Sequence, residues 1–244
     1  MTEVAYLEGV ISIAAAIDAD SRPIHTVYLL AGKYDRQLAR LRQMAVARQI
    51  PVEEVAEAFL LARATGKSHG GVLAAVGPRR FVELPELIEG ERPFVVMLDG
   101  IEDPFNFGQA IRSLYAAGAN GVVVRPRNWL AAAGVVARAS AGASEWMPMA
   151  IAESAEKAAS FFRQMGLKVA GTAQERSVSL YKADLTQPTF LLIGGERRGI
   201  TRSFWDEADM RLAIPYGRPF AHSLGAAAAA AIIGFEVMRQ RKGV

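Results

Sequence analysis

The chain reads as an α/β protein in which a small N-terminal α/β domain precedes a larger domain built on a mostly parallel sheet. Three observations predict this class. From residue 93 onward, short apolar runs rich in Val, Ile and Leu alternate with stretches of helical period, as βα units do when helices cover both faces of a sheet. Runs such as FVVML and FLLI are apolar throughout, which is what a strand buried on both faces requires. Between the two parts, GPRRFVELPELIEGERP concentrates prolines, glycines and charges, the composition of a connection. The predicted organisation is a domain over 1–80, a linker over 81–92 and a second domain over 93–244.

In the first domain, Leu7, Val10, Ile11, Ala14 and Ile17 recur at helical spacing. Residues 26–30 form a β-branched, apolar strand candidate. A helix is expected over 36–48, with Leu38, Leu41, Met44 and Ala45 on one face and arginines on the other. A last strand is expected over 71–76, after KSHGG. In the second domain, strands are expected over 94–98, 121–124, 148–151, 167–171, 189–193 and 211–214. Helices are expected over 107–117, 129–139, 155–165, 201–207 and 221–241. The alanine run 226–231 suits a closely packed helix face.

Composition narrows the function classes. The 244 residues are 51% hydrophobic and 22% charged, enough to bury a sizeable core. The absence of cysteine excludes disulfides, cysteine–zinc sites and thiol catalysis. Three separated histidines (His25, His69, His222) argue against a metal site. No apolar run has membrane-spanning length, and MTEVAYLEGV lacks the basic start of a signal peptide, so a cytoplasmic protein is expected. The net charge of +3 lies entirely beyond residue 88. There, Arg197, Arg198, Arg202, Arg211 and Arg218 flank two glycine-containing turns. Guanidinium groups suit bidentate phosphate recognition, although a solvated mixed surface explains the charge equally well. Arg36, Arg40, Arg42 and Arg48 carry the same two readings.

Ligands of open α/β sheets bind outside the carboxyl ends of the strands. Three such ends carry conspicuous loops: LDGIEDPFNFG, LIGGERRGI and IPYGRPFAHSLG. In the first, Asn106 taken alone reads as a helix N-cap. Arg112, among Ile111, Leu114 and Ala116, reads as a side chain that snorkels or meets an acid. In the second, Gly194 and Gly195 let backbone approach a ligand and Glu196 follows, but neither a Walker A loop nor GxGxxG is present. In the third, His222 and Ser223 are adjacent, yet no G-x-S-x-G elbow exists, which argues against a serine hydrolase.

Together, the order LDxxxDPxNxGxxxR, GGExxGI and IPxG…SL before an alanine-rich helix resembles the SpoU/TrmH branch of the SPOUT superfamily. SAGASEWMP (140–148), AAGANGVVV (116–124), Glu8-Gly9 and SHGGVLAAV (68–76) extend the resemblance over nearly the whole chain. It implies an RNA ribose 2′-O-methyltransferase using S-adenosyl-L-methionine, acting on structured rRNA or tRNA bound partly by the N-terminal domain. It also implies a C-terminal trefoil knot and a homodimer. By motif position, Asn106, Arg112, Glu196 and Ser223 are active-site residues. Gly194, Gly195, Ile214, Pro215, Gly217 and Leu224 would hold the cofactor, mainly through backbone. No metal and no membrane are implied. An arginine at such a site serves as phosphate clamp and electrostatic stabiliser, because a guanidinium stays protonated at neutral pH. The chain departs from the pattern at Gly225, where the motif has asparagine, and its third loop is one residue longer. Arg218 and His222 are the candidates to supply the missing polar groups. The rival reading is a noncatalytic RNA-binding or ribosome-assembly protein on the same scaffold; a methyltransferase for a non-RNA substrate is a third.

Overall fold

The computed structural model describes residues 4–66, 69–127, 129–195 and 199–243. In chain order its elements are β1 (Ala5–Glu8), α1 (Val10–Ala19), β2 (Ile24–Leu30), α2 (Arg36–Ala47), β3 (Val52–Val55), α3 (Glu57–Leu61) and β4 (Val72–Val76). Then follow β5 (Phe94–Asp99), α4 (Pro104–Ala116), β6 (Gly121–Val124), α5 (Ala133–Ala139), α6 (Ala143–Trp146), β7 (Met149–Ile151) and α7 (Ala155–Gln164). The last are β8 (Lys168–Thr172), β9 (Val178–Ser179), β10 (Thr189–Gly194), α8 (Arg202–Glu207), β11 (Met210–Ala213) and α9 (Ala226–Lys242). They form two compact units, Met1–Arg80 with Arg127–Trp146, and Phe81–Pro126 with Met147–Val244.

The first unit is a four-stranded sheet in the order β1-β4-β2-β3, antiparallel except for the β2–β3 pair. Leu7, expected on a helix, lies on β1, and its side chain joins Ile13, Val27, Leu41 and Val72 in the core. Ala133 and Ala137 of α5 complete that core. Residues 127–146 therefore belong with the N-terminal unit rather than the C-terminal one. Two buried carboxylates explain this. Glu8 accepts from Arg138 Nη1 at 2.8 Å and from Thr65 N and Oγ1. Glu145, in SAGASEWMP, accepts from Ser21 Oγ at 2.5 Å and from Arg22 Nε and Nη2 at 2.8 and 3.0 Å. Burial raises the pKa of the Glu145 carboxyl, but Arg22 and Arg79 outweigh it and hold the group below its usual range. Arg79 is itself lowered to about 10, chiefly by burial.

The second unit is a seven-stranded sheet in the order β7-β6-β5-β10-β8-β11-β9, parallel at every pairing. Segment 81–92, expected to be a linker, is part of this unit. Its 3-10 turn Leu84–Ile88 is closed by a Glu83–Glu86 capping box, and Leu87 is fully buried in the core. The core continues through Val95, Met97 and Leu192 to Phe162, which stacks on Phe190 with centroids 4.7 Å apart. Helix α9 packs against α4: Gly234 stands where a Cβ would meet Ala117 at 3.1 Å, and Ala230, Ile233 and Val237 are buried. Asp103, Ser154 and Thr201 cap α4, α7 and α8 through their side chains. Helix α5 starts at Ala133, four residues later than expected, and α9 starts at Ala226, leaving 221–225 as loop. Among the described residues, no helix is long and apolar enough to cross a membrane and no group of His, Asp or Glu could hold a metal ion.

Candidate functional site

The site forms at the carboxyl end of the sheet, where β5 and β10 run side by side and Gly194 pairs with Asp99. Both strands exit into glycine. Gly100 has φ +78°, and a Cβ on Gly195 would stand 2.2 Å from the Gly100 carbonyl oxygen. The two exits thus touch backbone to backbone, a contact that any side chain at 195 would break. Beside them opens a cavity of about 440 Å3. Ile193, Gly194, Gly195, Gly199 and Ile200 line one wall, and Ile214, Pro215, Ser223 and Leu224 another. Thr172 to Gln174, leaving β8, close a third side. Backbone-rich loops with aliphatic side chains suit an amphipathic small molecule of ordinary cofactor size.

Six residues singled out from the sequence meet here: Gly194, Gly195, Ile214, Pro215, Ser223 and Leu224. Gly217 is exposed and is not among the lining residues. Asn106 lines a smaller adjoining cavity of about 220 Å3, which shares Gly195 and Ala226 with the first. It is not the cap of α4. Asp103 is, accepting from the Phe105 and Asn106 amides, with Pro104 as the first helical residue. The Asn106 side chain is thereby free of capping and stands exposed in the first turn. Arg112 is exposed rather than half-buried, because α4 turns Phe107, Ala110, Ile111 and Leu114 inward. It has no hydrogen-bond or ion-pair partner among the described residues and lines neither cavity. Glu196, Arg197 and Arg198, like Ser68 of SHGGVLAAV, lie outside the described residues. Of the other arginines near these turns, Arg211 is engaged over the Trp205 ring at 4.6 Å, whereas Arg202 and Arg218 are exposed.

Several lining residues carry no motif. Thr172 ends, and Gln174 follows, a strand whose loop has no glycine signature, and the sheet order, with β8 between β10 and β11, reveals their place. Tyr216 and Phe220 lie within the third loop; the Leu224 amide donates to Tyr216 Oη at 3.0 Å, fastening the loop's end to its start. Glu156 of α7 accepts from Thr201 Oγ1 at 2.6 Å and Ser203 Oγ at 2.7 Å, anchoring the segment that follows Gly199 and Ile200. These two hydroxyls hold the Glu156 carboxyl down to about 2. At the end of β5, burial pushes the Asp99 carboxyl upward against the opposing pull of Arg125, 3.8 Å away.

Two family models cover this architecture. Residues 93–235 match the SpoU rRNA Methylase family, and residues 6–82 match the RNA 2′-O ribose methyltransferase substrate binding domain. The chain belongs to the SpoU rRNA methylase family. Among curated SpoU-type relatives it is similar to the 23S rRNA (guanosine-2′-O-)-methyltransferase RlmB of Yersinia pestis, 31% identical over 99% of this chain and 98% of that protein. Among solved structures, the SpoU methyltransferase AviRb from Streptomyces viridochromogenes in complex with AdoMet superposes with a TM-score of 0.81 and 25% identity, over 99% of this chain and 92% of that one. The AdoMet-bound rRNA methyltransferase from Sinorhizobium meliloti gives a TM-score of 0.79 and 26% identity, over 97% and 87% of the two chains. The SpoU model includes the three strand-end loops, and hence both cavities.

Proposed function

We infer that this chain transfers a methyl group from S-adenosyl-L-methionine to a ribose 2′-hydroxyl of ribosomal RNA, at a guanosine as in its RlmB relatives. The observation that carries this reading is the 440 Å3 cavity framed by the Gly194-Gly195 and Ile214–Leu224 motif loops, in a chain matching both modules of an RNA 2′-O-methyltransferase. The glycine contact at 195 and 100 leaves backbone groups facing a ligand, and Ile193, Ile200 and Leu224 supply apolar surface for a heterocycle, so the residues fit this cofactor. Bound there, it supplies an electrophilic methyl group that needs no further activation. The harder task concerns the nucleophile, since a ribose hydroxyl is a weak acid and sheds its proton as it attacks. Arg112, exposed and uncommitted among the described residues, holds the adjoining phosphate and stabilises developing alkoxide charge. Asn106 and Ser223 position the hydroxyl and its loops, and Glu196 orients the arginine or the ribose. In the first unit, a cleft of about 550 Å3 beside Tyr34, Arg36 and Arg42 offers a surface for RNA.

The same reading includes a cytoplasmic homodimer and the C-terminal knot. Helices α4 and α9 pack together yet leave Phe105, Tyr115 and Phe235 exposed, which supports a second copy covering them. The entry of β10 between β5 and β8 supports a non-sequential threading of the last elements. The decisive experiment is Arg112→Ala. Methylation of 23S rRNA is expected to vanish while calorimetry still records S-adenosylmethionine binding; normal turnover removes Arg112 from the mechanism. Nucleoside mass spectrometry of rRNA and tRNA from a deletion strain tests the substrate. A lost 2′-O-methylguanosine in rRNA is expected; a lost tRNA nucleoside reassigns the target. An unchanged profile together with no cofactor binding favours a noncatalytic RNA-binding protein.

A further inference from the structure

Phe220 is 59% exposed, so one side of its ring is open to a ligand. It lies in the connection between β11 and α9, on the rim of the 440 Å3 cavity, and its ring is held on two sides. Tyr216 stands at a centroid distance of 6.2 Å in a tilted contact, and His222 meets it edge-on at 5.4 Å. Tyr216 is in turn fixed by the hydrogen bond its hydroxyl accepts from the Leu224 amide. The same loop carries Arg218, exposed and without a partner among the described residues, and Ser223, on the cavity wall. An aromatic face held upright, a nearby cation and a cavity wall thus occur within nine residues of one loop.

We propose that Phe220, braced by Tyr216 and His222, is a stacking platform for the base of the nucleotide whose ribose is methylated, with Arg218 on its phosphate backbone. The proposal rests on the RNA ribose methylation inferred above. A ribose hydroxyl presented at the cavity brings its own base to within one sugar ring of the rim, where Phe220 stands. Nucleobases stack on aromatic side chains irrespective of sequence, so the platform positions the target nucleotide without choosing it. It also gives a role to the third loop, which is one residue longer than the family pattern and lacks its asparagine.

The test uses the full chain with in-vitro-transcribed 23S rRNA. For Phe220→Ala, the KM for this RNA is expected to rise at least about 10-fold. RNA retention measured with S-adenosylhomocysteine present is expected to weaken in parallel, and by far more than calorimetry shows the S-adenosylmethionine Kd to rise. Phe220→Trp is expected to restore both RNA readouts, and Arg218→Ala to weaken RNA retention and flatten its salt dependence. An unaltered KM in Phe220→Ala overturns the platform and leaves the methylation reading intact. A fall in cofactor affinity matching the loss of activity also overturns it, by placing Phe220 in the cofactor site. If the wild-type chain binds cofactor but neither retains nor methylates the RNA, both readings fall together.

Discussion

Replacing Glu145 by glutamine removes the one negative charge from a buried cluster that contains two guanidinium groups. The Glu145 side chain is wholly buried, and those of Arg22 and Arg79 are 6% and 9% exposed. At an effective dielectric constant near 20, the attractions over 2.8 and 3.8 Å are on the order of 6 and 4 kcal/mol. Desolvation of all three charges offsets much of this. The measurable consequence is the cost of leaving buried cations uncompensated, about 3–5 kcal/mol. Urea unfolding of the intact chain, with hydrogen exchange followed at the β2 and β4 amides, reads the loss in the unit that contains the cluster. Because the folded carboxyl lies below its ordinary value of 4.5, its contribution is present above that pH and disappears as pH falls through the folded value. Wild-type protein is therefore expected to lose stability more steeply below pH 4.5 than Glu145→Gln does. A destabilisation under about 1 kcal/mol, or parallel pH profiles, would refute the reasoning.

Three further substitutions probe the site. Gly195→Ala places a Cβ 2.2 Å from the Gly100 carbonyl, and cofactor affinity by calorimetry is expected to fall at least about 10-fold, since neither partner is a flexible side chain. Glu156→Gln weakens the clasp on Thr201 and Ser203, and the S-adenosylmethionine Kd is expected to rise roughly 3- to 10-fold. The pH–activity profile from 5 to 9 is expected to keep its shape, because that carboxyl is held near 2. Gly225→Asn supplies a side-chain cap to α9, which has none, and thermal unfolding is expected to show a gain of a few tenths of a kcal/mol.

Physical features of individual residues explain what could be read in advance. β5 and β10 were legible because strands covered on both faces are apolar throughout, and the alanine run was legible because α9 packs closely on α4. β1 was not, since a four-residue strand running straight into a helix lets Leu7 fit either period. β3, with sequence VEEV, carries no alternation. The place of residues 127–146 depends on Glu8–Arg138 and Glu145–Arg22, pairs separated by 130 and 123 residues, which no local pattern encodes. The capping of α4 was legible in principle: Pro104 at the first helical position selects Asp103 as the cap and releases Asn106. Among the described residues, the Asn106 side chain then makes no hydrogen bond and is left for a ligand at the adjoining cavity.

Gly225 changes meaning for the same reason. It occupies the N-cap of α9, where asparagine, the residue of the family pattern, would accept from the first-turn amides. Part of what the substitution removes is thus helix capping, for which glycine costs little, rather than catalytic machinery. Within the third loop, His222 stands edge-on to Phe220, and the Leu224 amide fastens the loop to Tyr216. The position after Leu224 serves to start α9.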